Sequence, residues 1–176
     1  MIPNEIIEKA KRIKVLVVDI DGVMTDGHIV YSGYGEELKF YDVQDGFGIT
    51  LLNRAEIKTV IITAKKSKIV KHRGRDLKVA MVYQGFMDKL TPFNDLLKRF
   101  NVMPEEVCFM GDDLIDIPIL KRVGFAVAVP NAVAEVKQLA HHITTNKGGR
   151  GAVREVCDFL LKSQNKWNLV TEKYFK

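Results

Sequence analysis

Lys14-Val15-Leu16-Val17-Val18-Asp19-Ile20-Asp21-Gly22-Val23 is the stretch on which the fold turns. Its four apolar residues, three of them β-branched valines, read as a strand buried on both faces. Two carboxylates arrive as the strand ends, and a glycine then permits a tight turn. An ionised carboxylate buried alone costs at least several kcal/mol, so such groups belong in a core only when paired or bound to a cation. At the carboxyl end of a parallel strand they face the crevice where open α/β sheets bind ligands. The stretch is therefore predicted to be a reaction site or an ion site.

Outward from this strand the pattern alternates. Met1 to Lys14 mixes apolar and charged residues as an amphipathic helix does, with the helix expected over 3–12 and strand one over 14–19. A hairpin-like insert follows: His28-Ile29-Val30-Tyr31, the turn Ser32-Gly33-Tyr34-Gly35, then Glu37-Leu38-Lys39-Phe40-Tyr41. Helix 45–54, strand 58–63, helix 67–76, a short strand near 79–83 and a helix capped by Asp88 and running to Phe100 come next. Pro104 reads as an early helical position before a strand over 107–110, which Gly111-Asp112-Asp113 breaks. Helix 114–122, strand 124–129, a short helix capped by Asn131, an edge strand at Ile143 and an amphipathic helix over 150–162 complete the order. Strands alternating with helices predict a doubly wound, Rossmann-like α/β fold with right-handed crossovers. The hairpin after strand one is its only insert, with no large cap domain. One domain is expected over 1–162, followed by a tail over 163–176 that carries Trp167, Leu169, Tyr174 and Phe175.

The chain has 176 residues, enough to bury one substantial core. No apolar run approaches the roughly 20 residues of a membrane span, and the N-terminus lacks a signal-peptide apolar region, so a cytoplasmic protein is expected. The formal charge of +5 suits an anionic partner. The basic residues are scattered, and no aromatic-basic platform marks nucleic acid, so a small phosphorylated or carboxylated substrate fits better. Cys108 and Cys157 lie inside apolar runs without ligand spacing and read as reduced core thiols. The four histidines, at 28, 72, 141 and 142, read as structural or surface groups.

Four segments place polar residues at strand ends or at the start of the following helix: Asp19/Asp21, Thr63, Asp88-Lys89, and Gly111-Asp112-Asp113 with Asp116. Singly each is weak; Asp112-Asp113 alone suits a helix N-terminus as well as an ion. Together they converge, because the strand ends of a parallel sheet share one crevice. Clustered carboxylates repel one another unless a cation neutralises them. An oxygen-only ligand set without matching His or Cys points to Mg²⁺. Lys89 as a point charge and Thr63 as a hydroxyl donor complete a phosphate-sized pocket.

Asp19-Ile20-Asp21-Gly22-Val23-Met24-Thr25-Asp26-Gly27, Thr63, Lys89 and Gly111-Asp112-Asp113-Leu114-Ile115-Asp116 together resemble, in order and spacing, the four motifs of the haloacid dehalogenase-like phosphohydrolases. The short hairpin, Asp42-Val43-Gln44-Asp45-Gly46-Phe47-Gly48 and Gly148-Gly149-Arg150-Gly151-Ala152-Val153-Arg154-Glu155 resemble the branch containing 3-deoxy-D-manno-octulosonate 8-phosphate phosphatase, which serves lipopolysaccharide precursor synthesis. The resemblance implies Asp19 as a nucleophile that forms an aspartyl-phosphate, and Asp21 as the acid that protonates the leaving oxygen and then the base on water. It implies Mg²⁺ held by Asp19, the Asp21 carbonyl and Asp112, phosphoryl oxygens held by Lys89 and Thr63, and Asp113 and Asp116 as supports for Lys89 or a metal-bound water. Lys65, Arg73, Asp45, Gly46 and Arg150 would meet the sugar. Where the family usually has Gly then Arg after Thr63, Ala64 and Lys65 stand here, and Lys65 keeps the charge without the bidentate fork. The branch further implies a homotetramer in which hairpins join and tails cover neighbouring active sites. A nonulosonate 9-phosphate or another sugar phosphate is the alternative substrate. A receiver-like signalling module is the rival from another class, and Asp21 argues against it, because a stable phospho-aspartate needs no acid two residues on.

Overall fold

A computed structural model describes residues 3–35 and 37–176; Met1, Ile2 and Glu36 lie outside the described residues. Helix α1 (Asn4–Lys11) leads into β1 (Val15–Val18), whose four residues are all buried because a strand covers each edge and helices cover both faces. The chain continues through the hairpin β2 (Val30–Tyr31) and β3 (Glu37–Leu38), then α2 (Val43–Arg54), β4 (Lys58–Thr63), α3 (Lys68–Asp76), β5 (Met81–Gln84) and α4 (Leu90–Phe100). Strand β6 (Val107–Gly111), α5 (Ile117–Leu120), β7 (Phe125–Ala128), α6 (Ala134–Leu139), β8 (His142–Ile143), α7 (Ala152–Ser163) and α8 (Trp167–Thr171) complete it. Six strands form one sheet in the order β5-β4-β1-β6-β7-β8, every pair parallel, and β2 and β3 form a separate antiparallel pair. This is the doubly wound α/β architecture with a hairpin insert that the sequence predicts.

The topology fixes where chemistry can occur. The chain builds outward from β1 through β4 to β5, then crosses back to place β6 on the other side of β1. The reversal opens a crevice at the carboxyl ends of β1 and β6. Val18 is in register with Ile61 of β4 and Met110 of β6, and Asp19 N–H donates to Met110 O at 3.1 Å, so Asp19 emerges at the centre of that edge. Helices α1, α2, α7 and α8 pack together as one group and α4, α5 and α6 as another. Cys108 and Cys157 are buried free thiols in this core. Among the described residues no helix is long and apolar enough to cross a membrane.

Several local expectations change. Helix α2 starts at Val43 rather than Asp45, because the Asp42 carboxylate accepts from the N–H groups of Gln44 (2.6 Å) and Asp45 (3.4 Å). The hairpin strands shrink to two residues each, since no second sheet covers them. The helix expected over 114–122 is a 3₁₀ turn (Leu114–Asp116) followed by the four-residue α5. Asn131 does not cap α6: Val133 precedes that helix, and the Asn131 amide is engaged elsewhere. The tail, without period in the sequence, forms α8 and a further turn over Glu172–Tyr174. It packs on its own chain, with Val170 and Thr171 buried and the Tyr174 ring edge-on to Phe47 at 5.6 Å.

Candidate active site

Two neighbouring strand ends deliver the central carboxylates. Asp19 follows β1, Asp112 follows β6, and Asp116 ends the turn after β6; one carboxylate oxygen from each lies within 4.8 Å of the others. Lys89 comes from the start of α4, where Asp88 accepts from Leu90 N–H at 3.0 Å and the Thr91 hydroxyl at 2.8 Å and so fixes the helix entry. With its side chain fully buried, Lys89 places Nζ 3.0 Å from Asp19 and 2.6 Å from Asp116. Asp116 in turn accepts from the N–H groups of Asp112 (2.9 Å) and Asp113 (3.2 Å) through its other oxygen. Both oxygens of Asp116 are thus occupied, and it links the lysine to the loop that carries Asp112.

The electrostatics follow from burial. Burial pushes Asp19 up to about 7, Lys89 pulls it down, and Asp116 adds to the rise. Asp112 is pushed up to about 8, first by burial and then by the Asp19 and Asp116 charges. Burial would lower Lys89, but its two carboxylate partners outweigh that and raise it. One ammonium therefore faces three carboxylates, and the cluster needs a further positive charge for all three to ionise near neutral pH.

A divalent cation fits the residues present. Asp112 Oδ1 and Asp19 Oδ1 are buried and receive no hydrogen bond, although the Lys89 ammonium stands beside the latter as a countercharge. Gly22 leaves the space: at its φ of +92° a Cβ would lie 2.0 Å from Asp112 Oδ2. The donor set is oxygen only, as hard cations prefer.

Thr63 is buried at the carboxyl end of β4, the strand beside β1. Asp21 is partly exposed and ion-paired to Lys39. Asp113 accepts from Leu114 N–H at 2.7 Å and faces solvent rather than Lys89. Lys65 lies 2.8 Å from Glu37 of the hairpin. Arg73 stacks over the Tyr41 ring at 5.2 Å, donates to the Asp42 carbonyl at 3.3 Å and rests on Gly46, where a Cβ would meet its guanidinium at 2.6 Å. Asp45 is turned to the N-terminus of α7, accepting from Arg154 N–H at 2.7 Å; burial pushes it up to about 6. Arg150 is exposed, 3.7 Å from Asp26.

Sequence reasoning missed Lys39, Glu37, Tyr41 and Asn131. Asn131 donates to Gly22 O at 2.8 Å and accepts from Gly148 N–H at 2.9 Å, while Gly149 N–H donates to Val23 O at 2.9 Å. Gly148 is pressed against the Gly22 carbonyl, leaving no room for a side chain. Only the Gly148-Gly149 pair hinted at this close approach of backbones.

The model of the haloacid dehalogenase-like hydrolases matches residues 38–156. The chain is a phosphoric monoester hydrolase of the haloacid dehalogenase-like kind. The chain is 44% identical to the 3-deoxy-D-manno-octulosonate 8-phosphate phosphatase KdsC of Yersinia pestis, over 94% of this chain and 88% of that protein. It is 45% identical to KdsC of Escherichia coli (strain K12), over 92% and 86% respectively. A crystal structure of the Moraxella catarrhalis phosphatase, in complex with magnesium, phosphate and KDO, superposes with a TM-score of 0.95 at 38% identity, covering 97% of this chain and 98% of that one. The chain belongs to the haloacid dehalogenase-like hydrolases, in the family of the 3-deoxy-D-manno-octulosonate 8-phosphate phosphatases.

Proposed function

We propose that the protein hydrolyses 3-deoxy-D-manno-octulosonate 8-phosphate to KDO and phosphate, with Mg²⁺ as cofactor. The observation that carries the chemistry is the buried Asp112 Oδ1, which meets no donor, beside Asp19, whose Oδ1 has the Lys89 ammonium at 3.0 Å as its countercharge. Asp19, the Asp21 carbonyl and Asp112 would hold the cation, which supplies charge neutralisation between a carboxylate nucleophile and a phosphate dianion. Asp19 attacks phosphorus to form an aspartyl-phosphate, Asp21 gives its proton to the departing sugar oxygen, and Asp21 then takes a proton from the water that releases phosphate. Lys89 and Thr63 hold phosphoryl oxygens in a site already organised for them. Asp116 keeps Lys89 and the Asp112 loop in place. Lys65, Arg150 and Arg73, the last packed on Gly46, form the sugar-facing rim, while Asp45 is buried and turned away to α7.

The substrate assignment rests on the named relatives and on the basic Lys65 at the crevice edge. The reading includes a cytoplasmic homotetramer acting in lipopolysaccharide precursor synthesis, with the 163–176 tail reaching a neighbouring active site. Exposed Ile29, Tyr31, Tyr34 and Phe40 on the hairpin, and Leu169 and Phe175 on the tail, support self-association. The test is kcat/KM measured side by side on octulosonate 8-phosphate, nonulosonate 9-phosphates and hexose phosphates, with and without EDTA. Preference for a nonulosonate 9-phosphate would overturn the substrate, and EDTA-insensitive turnover would overturn the metal.

A further inference from the structure

The hairpin is too short to hold itself. Two residues per strand give a marginal antiparallel pair in water, and much of its apolar surface is exposed. Lysine 39, one residue past β3, ties it to the sheet edge. Its side chain is 1% exposed, and its ammonium is paired with Asp21 Oδ1 and, at 3.0 Å, with Glu37. Glu37 is itself held at 2.8 Å by Lys65. Burying a lysine this fully is costly, and a hairpin needing only an anchor could use an apolar residue instead. The ammonium is shared between Glu37 and one oxygen of Asp21, and Asp21 is the carboxylate assigned to proton transfer.

We infer that Lys39 is a positioning residue for Asp21: it clamps Oδ1 so that Oδ2 is the oxygen presented to the leaving group. The inference rests on the reading of Asp21 as proton donor. In that step the Asp19–phosphorus bond forms and the phosphorus–sugar oxygen bond breaks. Its electron pair stays on the sugar oxygen, which takes the Asp21 proton. Lys39 touches neither phosphorus nor the sugar oxygen. It narrows the arc over which the Asp21 carboxyl can swing, and Glu37, backed by Lys65, holds Lys39 in turn. Loss of such orientation costs on the order of 10²-fold for a displacement of about 1 Å.

A leaving group that departs without a proton separates positioning from anchoring. First-turnover rates would be measured for Lys39→Met and Lys39→Arg on octulosonate 8-phosphate and on p-nitrophenyl phosphate, whose phenolate needs no acid. Lys39→Met is expected to slow sugar release about 30- to 100-fold with KM within about threefold of wild type, while p-nitrophenolate release changes less than threefold. Lys39→Arg should restore part of the sugar rate. Equal losses on both substrates would make Lys39 an anchor only, and unchanged rates on both would remove it from the mechanism; either overturns the inference. Should Lys39→Met fail to fold, Lys39→Gln carries the same comparison. Asp21→Asn, run in parallel, separates the two layers. If it too lacks the selective loss, the proton-donor reading fails; if it shows the loss and Lys39→Met does not, only the Lys39 inference fails.

Discussion

Replacing Lys89 by methionine removes the ammonium set among the buried carboxylates of Asp19 and Asp116 and the half-buried one of Asp112, while keeping most of the side chain's volume. The structure sets the magnitude. Lys89 Nζ stands 3.0 Å from Asp19 and 2.6 Å from Asp116, with its side chain wholly out of solvent. Removing one partner of a buried ion pair costs about 3–5 kcal/mol, because the other charge stays buried and unpaired. For a chain of this length that is a fall in Tm of about 10 °C. The pH dependence has a definite sign. Burial already raises Asp19 from 3.8 to about 7 in the folded protein, and without Lys89 it rises further. A carboxylate whose folded value exceeds its unfolded value destabilises the fold above the unfolded value, and the cost disappears as pH falls below it. Urea unfolding of Lys89→Met should therefore show the full loss at pH 7.5 and about 1 kcal/mol or less near pH 4. Saturating Mg²⁺ at about 100 times its Kd should return about 2.7 kcal/mol to wild type and variant alike if the carboxylates still bind it. Turnover should fall about 10²- to 10³-fold. A stability loss that is equal at the two pH values, or below 1 kcal/mol at pH 7.5, would refute the electrostatic account.

Asp45→Asn keeps the acceptor for Arg154 N–H but removes a carboxyl that burial raises from 3.8 to about 6. The variant should gain about 1–3 kcal/mol at pH 7.5, a gain that shrinks as pH falls from 6 through 3.8; lower stability at pH 7.5 would contradict this. Gly22→Ala drives a methyl toward Asp112 Oδ2 at a strained positive φ. Calorimetry should find Mg²⁺ binding weakened at least about tenfold, and a wild-type isotherm would count against the proposed ligand set. Ending the chain after Asn165 exposes the surfaces that Val170 and Tyr174 cover. The expected loss is about 2–3 kcal/mol, or about 8 °C in Tm, and an unchanged melt would deny that the tail packs on its own chain.

What the sequence disclosed and what it concealed divide along a physical line. The strand expected over 58–63 is β4 residue for residue, because its buried Val60-Ile61-Ile62 centre, flanked by β-branched Thr59 and Thr63, is a signal that local composition reveals. The meeting of Asp19, Lys89, Asp112 and Asp116 was legible for a related reason: parallel strand ends converge whatever the loops do. Lys39 was not legible. A lysine after a short β-rich segment looks like any solvated lysine, and only the fold of the hairpin back over Asp21 buries it. Asn131 misled because asparagine before a helix is commonly a cap, whereas here two backbones from distant segments compete for the amide and win. Asp45 reads as a polar group in a glycine-rich motif, and its turn toward α7 depends on a helix more than a hundred residues away.

Asn131 joins the loop after β7 to Gly22 and Gly148, and the neighbouring Val133 N–H holds Asp112 O at 2.9 Å. Three loops that carry Asp19, Asp112 and the glycine turn are thereby latched to one another rather than each to the sheet alone. They should open as a single cooperative unit instead of fraying one by one. The amides of Gly148 and Gly149, far from Asp19 in the chain, then become reporters of it. Their hydrogen exchange should slow together when Mg²⁺ and phosphate bind, registering occupancy of the crevice from a segment that supplies it no acid.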